Sequence, residues 1–176
     1  MNNKTKLNKN FLREVLYTYI YPKSINKPFL HRHIIWCSPF FIKKLQLTHH
    51  IYLDRTFIHP NNFKQLLVVL IYDEGTKSRY PAAYILLNSK LLQSYLISLN
   101  SLKNIITKNG SIKLNLKSIT VDFEEAIITA LDTIFPQIKI IGCFFHYTQN
   151  IEKNVGIFGL YKIKNEIIIS FVKIFV

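Results

Sequence analysis

Two aspartates stand where carboxylates can do chemistry. Asp54 lies inside Ile51-Tyr52-Leu53-Asp54-Arg55-Thr56-Phe57, whose β-branched and aromatic residues read as a strand, and Asp is depleted in strand interiors. Asp122 closes a second strand-like run, Leu114 to Val121. If the two strands are neighbours, both carboxylates converge at one edge of a sheet, where α/β folds usually bind ligands. Carboxylates held that close resist joint ionisation unless a cation sits between them. Oxygen ligands without a thiolate select Mg²⁺ or Mn²⁺, and two such ions roughly 4 Å apart can activate a water or a 3′-hydroxyl for phosphoryl transfer. Each residue also has a plainer reading. Asp122, with Glu125 three residues on, fits a helix capping box, and Asp54 can face water beside Tyr52 and Thr56.

Cys143 and His146 form a Cys-x-x-His pair. A closed zinc site needs four ligands, and Cys37, His31, His33, His49, His50 and His59 offer no matching spacing. Zinc is therefore not expected, and the pair reads as packed at a strand-to-helix junction. Trp36-Cys37 and His49-His50 read as structural.

The elements that must position these residues follow from periodicity. After the Asp54 strand, Pro60-Asn61-Asn62 breaks the chain. Lys64 to Tyr72 is nearly all apolar and reads as a strand buried on both faces. Asp73-Glu74-Gly75 is a turn signal, and Tyr80 to Leu87 returns as a third strand. Leu92, Tyr95, Leu96, Leu99, Leu102 and Ile106 fall at helical spacing and stop near Asn109-Gly110. The Asp122 strand comes next, followed by a helix with Phe123, Ala126, Ile127, Ala130, Leu131 and Ile134 on one face, ended by Pro136. Ile138 to Cys143 is a fifth strand and Phe144 to Phe158 a further helix. The order β-β-β-α-β-α-β-α predicts an α/β fold with a mixed sheet and flanking helices. Residues 1–48 read as a short helix followed by irregular structure, an extension ahead of the core.

Composition bounds the partners. The 176 residues carry a net charge of +13, and 49% are hydrophobic, with a mean hydropathy of +0.14 and a pI near 9.7. That excludes a disordered tail and points to an anionic partner, nucleic acid first. The 23 basic residues are 19 Lys and 4 Arg, which suits phosphate contact rather than base reading. Part of the charge also follows from a general richness in Lys, Asn, Ile, Phe and Tyr. Two cysteines make no disulfide framework. The N-terminus has no apolar signal region, and no apolar run is long enough to span a bilayer, so an intracellular protein away from the membrane is expected.

An ordered series of short motifs runs through these elements: Leu53-Asp54-Arg55-Thr56-Phe57, then Pro60, Phe63 and Gln65, then Tyr80-Pro81, Val121-Asp122-Phe123-Glu124-Glu125-Ala126, Phe135-Pro136, Gly142-Cys143-Phe144-Phe145-His146 and Gly159-Leu160. The series resembles the core of the Mutator-like element (MULE) transposases, a branch of the DDE transposases with an RNase H-like fold, over roughly residues 45–165. The resemblance implies a metal-dependent DNA strand cleavage and transfer reaction in the nucleus, acting on transposon ends. It makes Asp54 and Asp122 the first two catalytic, Mg²⁺- or Mn²⁺-binding carboxylates, and Cys143 and His146 a family pair without an assigned role. Two departures follow. Arg55 stands where the family has Gly; in a regular strand it faces away from Asp54, and it can pair with a carboxylate or a phosphate. The family's third carboxylate lies on a later helix, and neither Glu152 nor Glu166 suits it. The expectation is therefore an RNase H-like core over 49–165, C-terminally incomplete, with an apolar tail at 166–176 that exposes surface for self-association. Such a chain is an inactive fragment that binds metal weakly, or else a basic DNA-binding protein without catalysis.

Overall fold

The computed structural model describes residues 12–20, 29–56 and 63–157. Its chain divides into two compact units, residues 1–141 and 142–176. The described residues form seven strands and three helices up to the division: β1 (Leu12–Ile20), β2 (Phe29–Cys37), α1 (Pro39–Leu47), β3 (His50–Thr56), β4 (Gln65–Asp73), β5 (Ser78–Leu87), α2 (Leu92–Thr107), β6 (Ser118–Val121), α3 (Glu125–Ile134) and β7 (Lys139–Gly142), whose last residue opens the second unit. The second unit contributes α4 (Phe144–Ile157). One sheet holds all seven strands in the order β1-β2-β5-β4-β3-β6-β7.

The core of that sheet is the predicted meander. β3, β4 and β5 pair antiparallel in turn, and β6 then joins β3 in parallel. The β4–β5 hairpin closes where Asp73 Oδ1 accepts the amides of Gly75 (2.9 Å) and Thr76 (3.2 Å), the local bond that favours Asp in turns. Pro81 has no amide to give the ladder, and the register slips beside it. A parallel return from β5 to β6 needs a crossover, and α2 supplies it. That helix ends through three consecutive left-handed residues, Lys108, Asn109 and Gly110, the stop that Asn109-Gly110 signalled.

Three expectations are corrected. Residues 12–20 and 29–37, expected to be helix and irregular chain, form an antiparallel strand pair, and β2 continues the sheet by pairing with β5. The inward positions of β2 are His31, His33, Ile35 and Cys37, all wholly buried. Histidines at core positions hide the apolar alternation that would have marked a strand. The helix in this segment, α1, starts from Ser38, whose Oγ accepts the Phe41 amide at 3.2 Å, with Pro39 at the first position.

β4 is the second case. It is buried on one face only: Gln65, Leu67, Val69 and Ile71 are buried, and the alternate Leu66, Val68 and Leu70 are half-buried. The strand before Asp122 is the third, shrinking from the expected 114–121 to Ser118–Val121. The amides of Asn115 and Lys117 bond instead to the carbonyls of Gln46 and His49. Phe57, Pro60, Phe158 and the 166–176 tail lie outside the described residues.

The core lies between the inward face of the sheet and the helices, with α2 packed against both α1 and α3. Ile51, Leu53, Leu67, Val69, Ile85, Leu87, Ile119 and Val121 meet Leu99, Leu102, Ile127 and Leu131. Truncating Leu131, with no exposed surface, should cost about 3 kcal/mol. Within this core His31 Nε2 and His33 Nδ1 share a hydrogen bond of 3.0 Å. Burial, helped by His33, lowers His31 to about 4. An unfolded chain takes up that proton near pH 6.5, so it binds more protons than the folded chain between pH 6.5 and 4. Stability should hold above pH 6.5 and fall as pH drops through that window. Thermal melts at pH 7.5, 6 and 5 check this, and His31→Leu should flatten the slope.

Candidate active site

The parallel pairing of β3 with β6 sets the site. Its register runs His50↔Ser118, Ile51↔Ile119 and Tyr52↔Thr120. Two residues beyond that last pair stand Asp54, still within β3, and Asp122, just past the end of β6. The side chains of His50 and both β6 partners tie the register, His50 Nδ1 with Ser118 Oγ at 2.6 Å and Nε2 with Thr120 Oγ1 at 3.0 Å.

Asp54 alternates with the buried Leu53 and turns Oδ1 to the backbone amide of Arg55 at 2.9 Å. Arg55 falls on the core side with Leu53. Its guanidinium bonds the carboxylates of Asp122 and Glu124 together, as the charge-assisted fork of Arg allows. The side chains of Arg55, Asp122 and Glu124 are 13%, 8% and 22% exposed, which places the triad where water screens it little. Of the two partners foreseen for Arg55, the structure thus gives it carboxylates.

Asp122 does not form the capping box. Helix α3 begins at Glu125, its N-cap is Glu124, and no side chain caps it. The other oxygen of Asp122, Oδ1, accepts the Glu124 amide at 3.3 Å, an Asx-type turn that swings Glu124 beside Arg55.

Glu124 is held from behind by residues that sequence reasoning did not assign to the site. Tyr95 on α2, wholly buried, donates its hydroxyl to the Glu124 carboxylate at 3.1 Å. Gln65 on β4, equally buried, donates Nε2 to the Tyr95 oxygen at 2.7 Å. Burial raises the Tyr95 phenol, against the lowering effect of the Gln65 bond, so the hydroxyl stays a donor. A polar chain thus runs Gln65, Tyr95, Glu124, Arg55, Asp122 through an apolar interior. The available signal was Gln65 itself, a polar residue at an inward position of an otherwise apolar strand.

Cations gather at the same end of the sheet. Partial desolvation, then Arg55 and Lys64, lower the Lys90 ammonium, and Asp122 acts in the opposite sense. A cleft of about 410 Å³ lies there, lined by Phe29, Lys64, Asn88, Ser89, Lys90 and Leu91.

These residues do not fit a divalent metal as they stand. Asp122 gives Oδ2 to Arg55 and Oδ1 to an amide, and Asp54 Oδ1 also serves an amide. Among the described residues no group of three or more His, Cys, Asp or Glu side chains gathers where an ion could be held. Cys143 and His146 belong to the second unit, where the Cys143 carbonyl accepts the Tyr147 amide at 3.0 Å in the first turn of α4. Glu152 is on the same helix, and Glu166 lies outside the described residues.

A strand order β5-β4-β3-β6-β7, with acids on the first strand of the meander and after the parallel strand beside it, defines the RNase H-like class of mixed sheet. Within that class, the family model for the MULE transposase domain matches residues 50–150, and the chain belongs to that family. No curated protein matches it. Among the described residues, no helix is long and apolar enough to cross a membrane.

The polar chain makes a stability prediction. Tyr95→Phe removes the one hydroxyl that both Gln65 and Glu124 use, leaving buried polar groups short of a partner. The variant should lose about 1–3 kcal/mol in denaturant titration. Leu96→Ala, one residue along the helix, removes only apolar contact and leaves the chain intact.

Proposed function

We propose that the chain acts on DNA as a transposase-family domain that grips the phosphate backbone and, in its present state, does not cut it. The observation that carries this reading is the Arg55 guanidinium set on Asp122 and Glu124. It leaves Asp122, one of the two expected catalytic carboxylates, paired with a side chain, while Lys90, with Lys64 near it, supplies positive charge beside Asp122. The net charge of +13 supports the same polyanionic partner, and the family supports transposon ends, met in the nucleus, as the DNA in question. A lysine-rich surface contacts phosphates with little regard to sequence.

The second reading is active strand cleavage and transfer by Asp54 and Asp122 with Mg²⁺ or Mn²⁺. The parallel pairing of β3, which carries Asp54, with β6, which leads into Asp122, favours it. The two separate in solution. Duplex DNA should bind in the presence of EDTA, with affinity falling steeply as salt rises. Lys64→Ala with Lys90→Ala should weaken binding about tenfold and reduce the salt slope by about 2. Supercoiled plasmid incubated with Mn²⁺ should stay un-nicked. Nicking that Asp54→Ala abolishes would establish the second reading, and failure to retain duplex DNA at low salt would contradict the first.

A further inference from the structure

The carboxylates of this site already have a cation. Asp122 and Glu124 are two negative groups brought together by one turn, and Arg55 sits on both. We propose that Arg55 is the resident counter-ion of the site and excludes divalent metal from the Asp122–Glu124 pair, so that its removal converts the pair into a divalent-cation site. The inference rests on the ion-pair geometry alone and holds whether or not the chain engages DNA.

Three features carry it. The two acidic side chains are held by groups other than Arg55: Asp122 by the Glu124 amide at 3.3 Å and Glu124 by the Tyr95 hydroxyl at 3.1 Å. Truncating the guanidinium therefore leaves them in place rather than releasing them. The Tyr95 hydroxyl is anchored in turn by Gln65 at 2.7 Å, which fixes Glu124 from the core side. The vacated space is also lined by hard oxygens, the donor type that selects Mg²⁺ or Mn²⁺ over softer ions. Closely placed carboxylates without a cation take up protons or a metal to relieve their repulsion. With Arg55 present, both requirements are met internally and a metal must displace a buried, forked, charge-assisted pair. Arg55 occupies the position at which the resemblance places Gly, the one residue with no side chain to put there.

The test uses metal alone, without DNA. Arg55→Gly should melt lower than the unmodified chain without metal and gain about 5 °C or more when Mn²⁺ is added at 100 times its dissociation constant. The unmodified chain should show no such gain. Adding Asp122→Asn to Arg55→Gly should abolish the response. A folded Arg55→Gly variant that melts at the same temperature with and without Mn²⁺ would overturn the proposal. The unmodified chain gives a reading that does not depend on the variant folding: Mn²⁺ paramagnetic resonance should show only free ion at neutral pH. Bound Mn²⁺ that disappears in Asp122→Asn would equally overturn it.

Discussion

A guanidinium that is 13% exposed has few stable settings, because its charge must be met by partners that replace the water it has lost. Arg55 meets that requirement with two carboxylates, Asp122 and Glu124. Each partner comes from the stretch that joins β6 to α3, and Glu124 reaches back through Tyr95 on α2 to Gln65 on β4. The ion pair therefore ties β3, β4, α2 and the β6–α3 turn to one point. Removing one partner of such a pair leaves an uncompensated buried charge, which typically costs roughly 3–5 kcal/mol. Asp122 is engaged with Arg55 and the Glu124 amide, and α3 begins at Glu125 with no side-chain cap.

The same interaction decides how the site is read. Asp54 on β3 and Asp122 just past β6 invite a metal reading by residue type. The electrostatic balance differs. With Arg55 in place the Asp122–Glu124 pair is partly neutralised without any ion. Lys64 and Lys90 add positive charge nearby. A surface of that sign attracts phosphates, and their attraction weakens with salt because it is Coulombic.

Much of the fold was legible because apolar period and turn chemistry agree from residue 50 onward. The meander, both crossover helices and the Asn109-Gly110 stop all follow from patterns that a single residue type can mark. The N-terminal strands were not legible for a physical reason. In β2 two of the inward positions carry His31 and His33, which share a hydrogen bond where apolar side chains would have marked the strand. At the site, Asp54 and Asp122 were visible by residue type and order. Arg55 was seen only as a departure from the family, because its partners lie 67 and 69 positions away in the chain. Strand alternation correctly turned it away from Asp54. What alternation does not describe is Asp122, which follows the last residue of β6 and is free to turn toward the core. Tyr95 was legible only as one more apolar-face residue of a helix, since its hydroxyl partner is set by tertiary contact.

The central claim, that a side chain stands in for the metal among these carboxylates, is tested most directly by diffraction from crystals of the unmodified protein grown with Mn²⁺. Anomalous scattering locates the ion without relying on activity. The account predicts no Mn²⁺ peak against Asp122, with the Arg55 guanidinium between Asp122 and Glu124. A Mn²⁺ peak bridging Asp54 and Asp122, with Arg55 swung away from both acids, would contradict it.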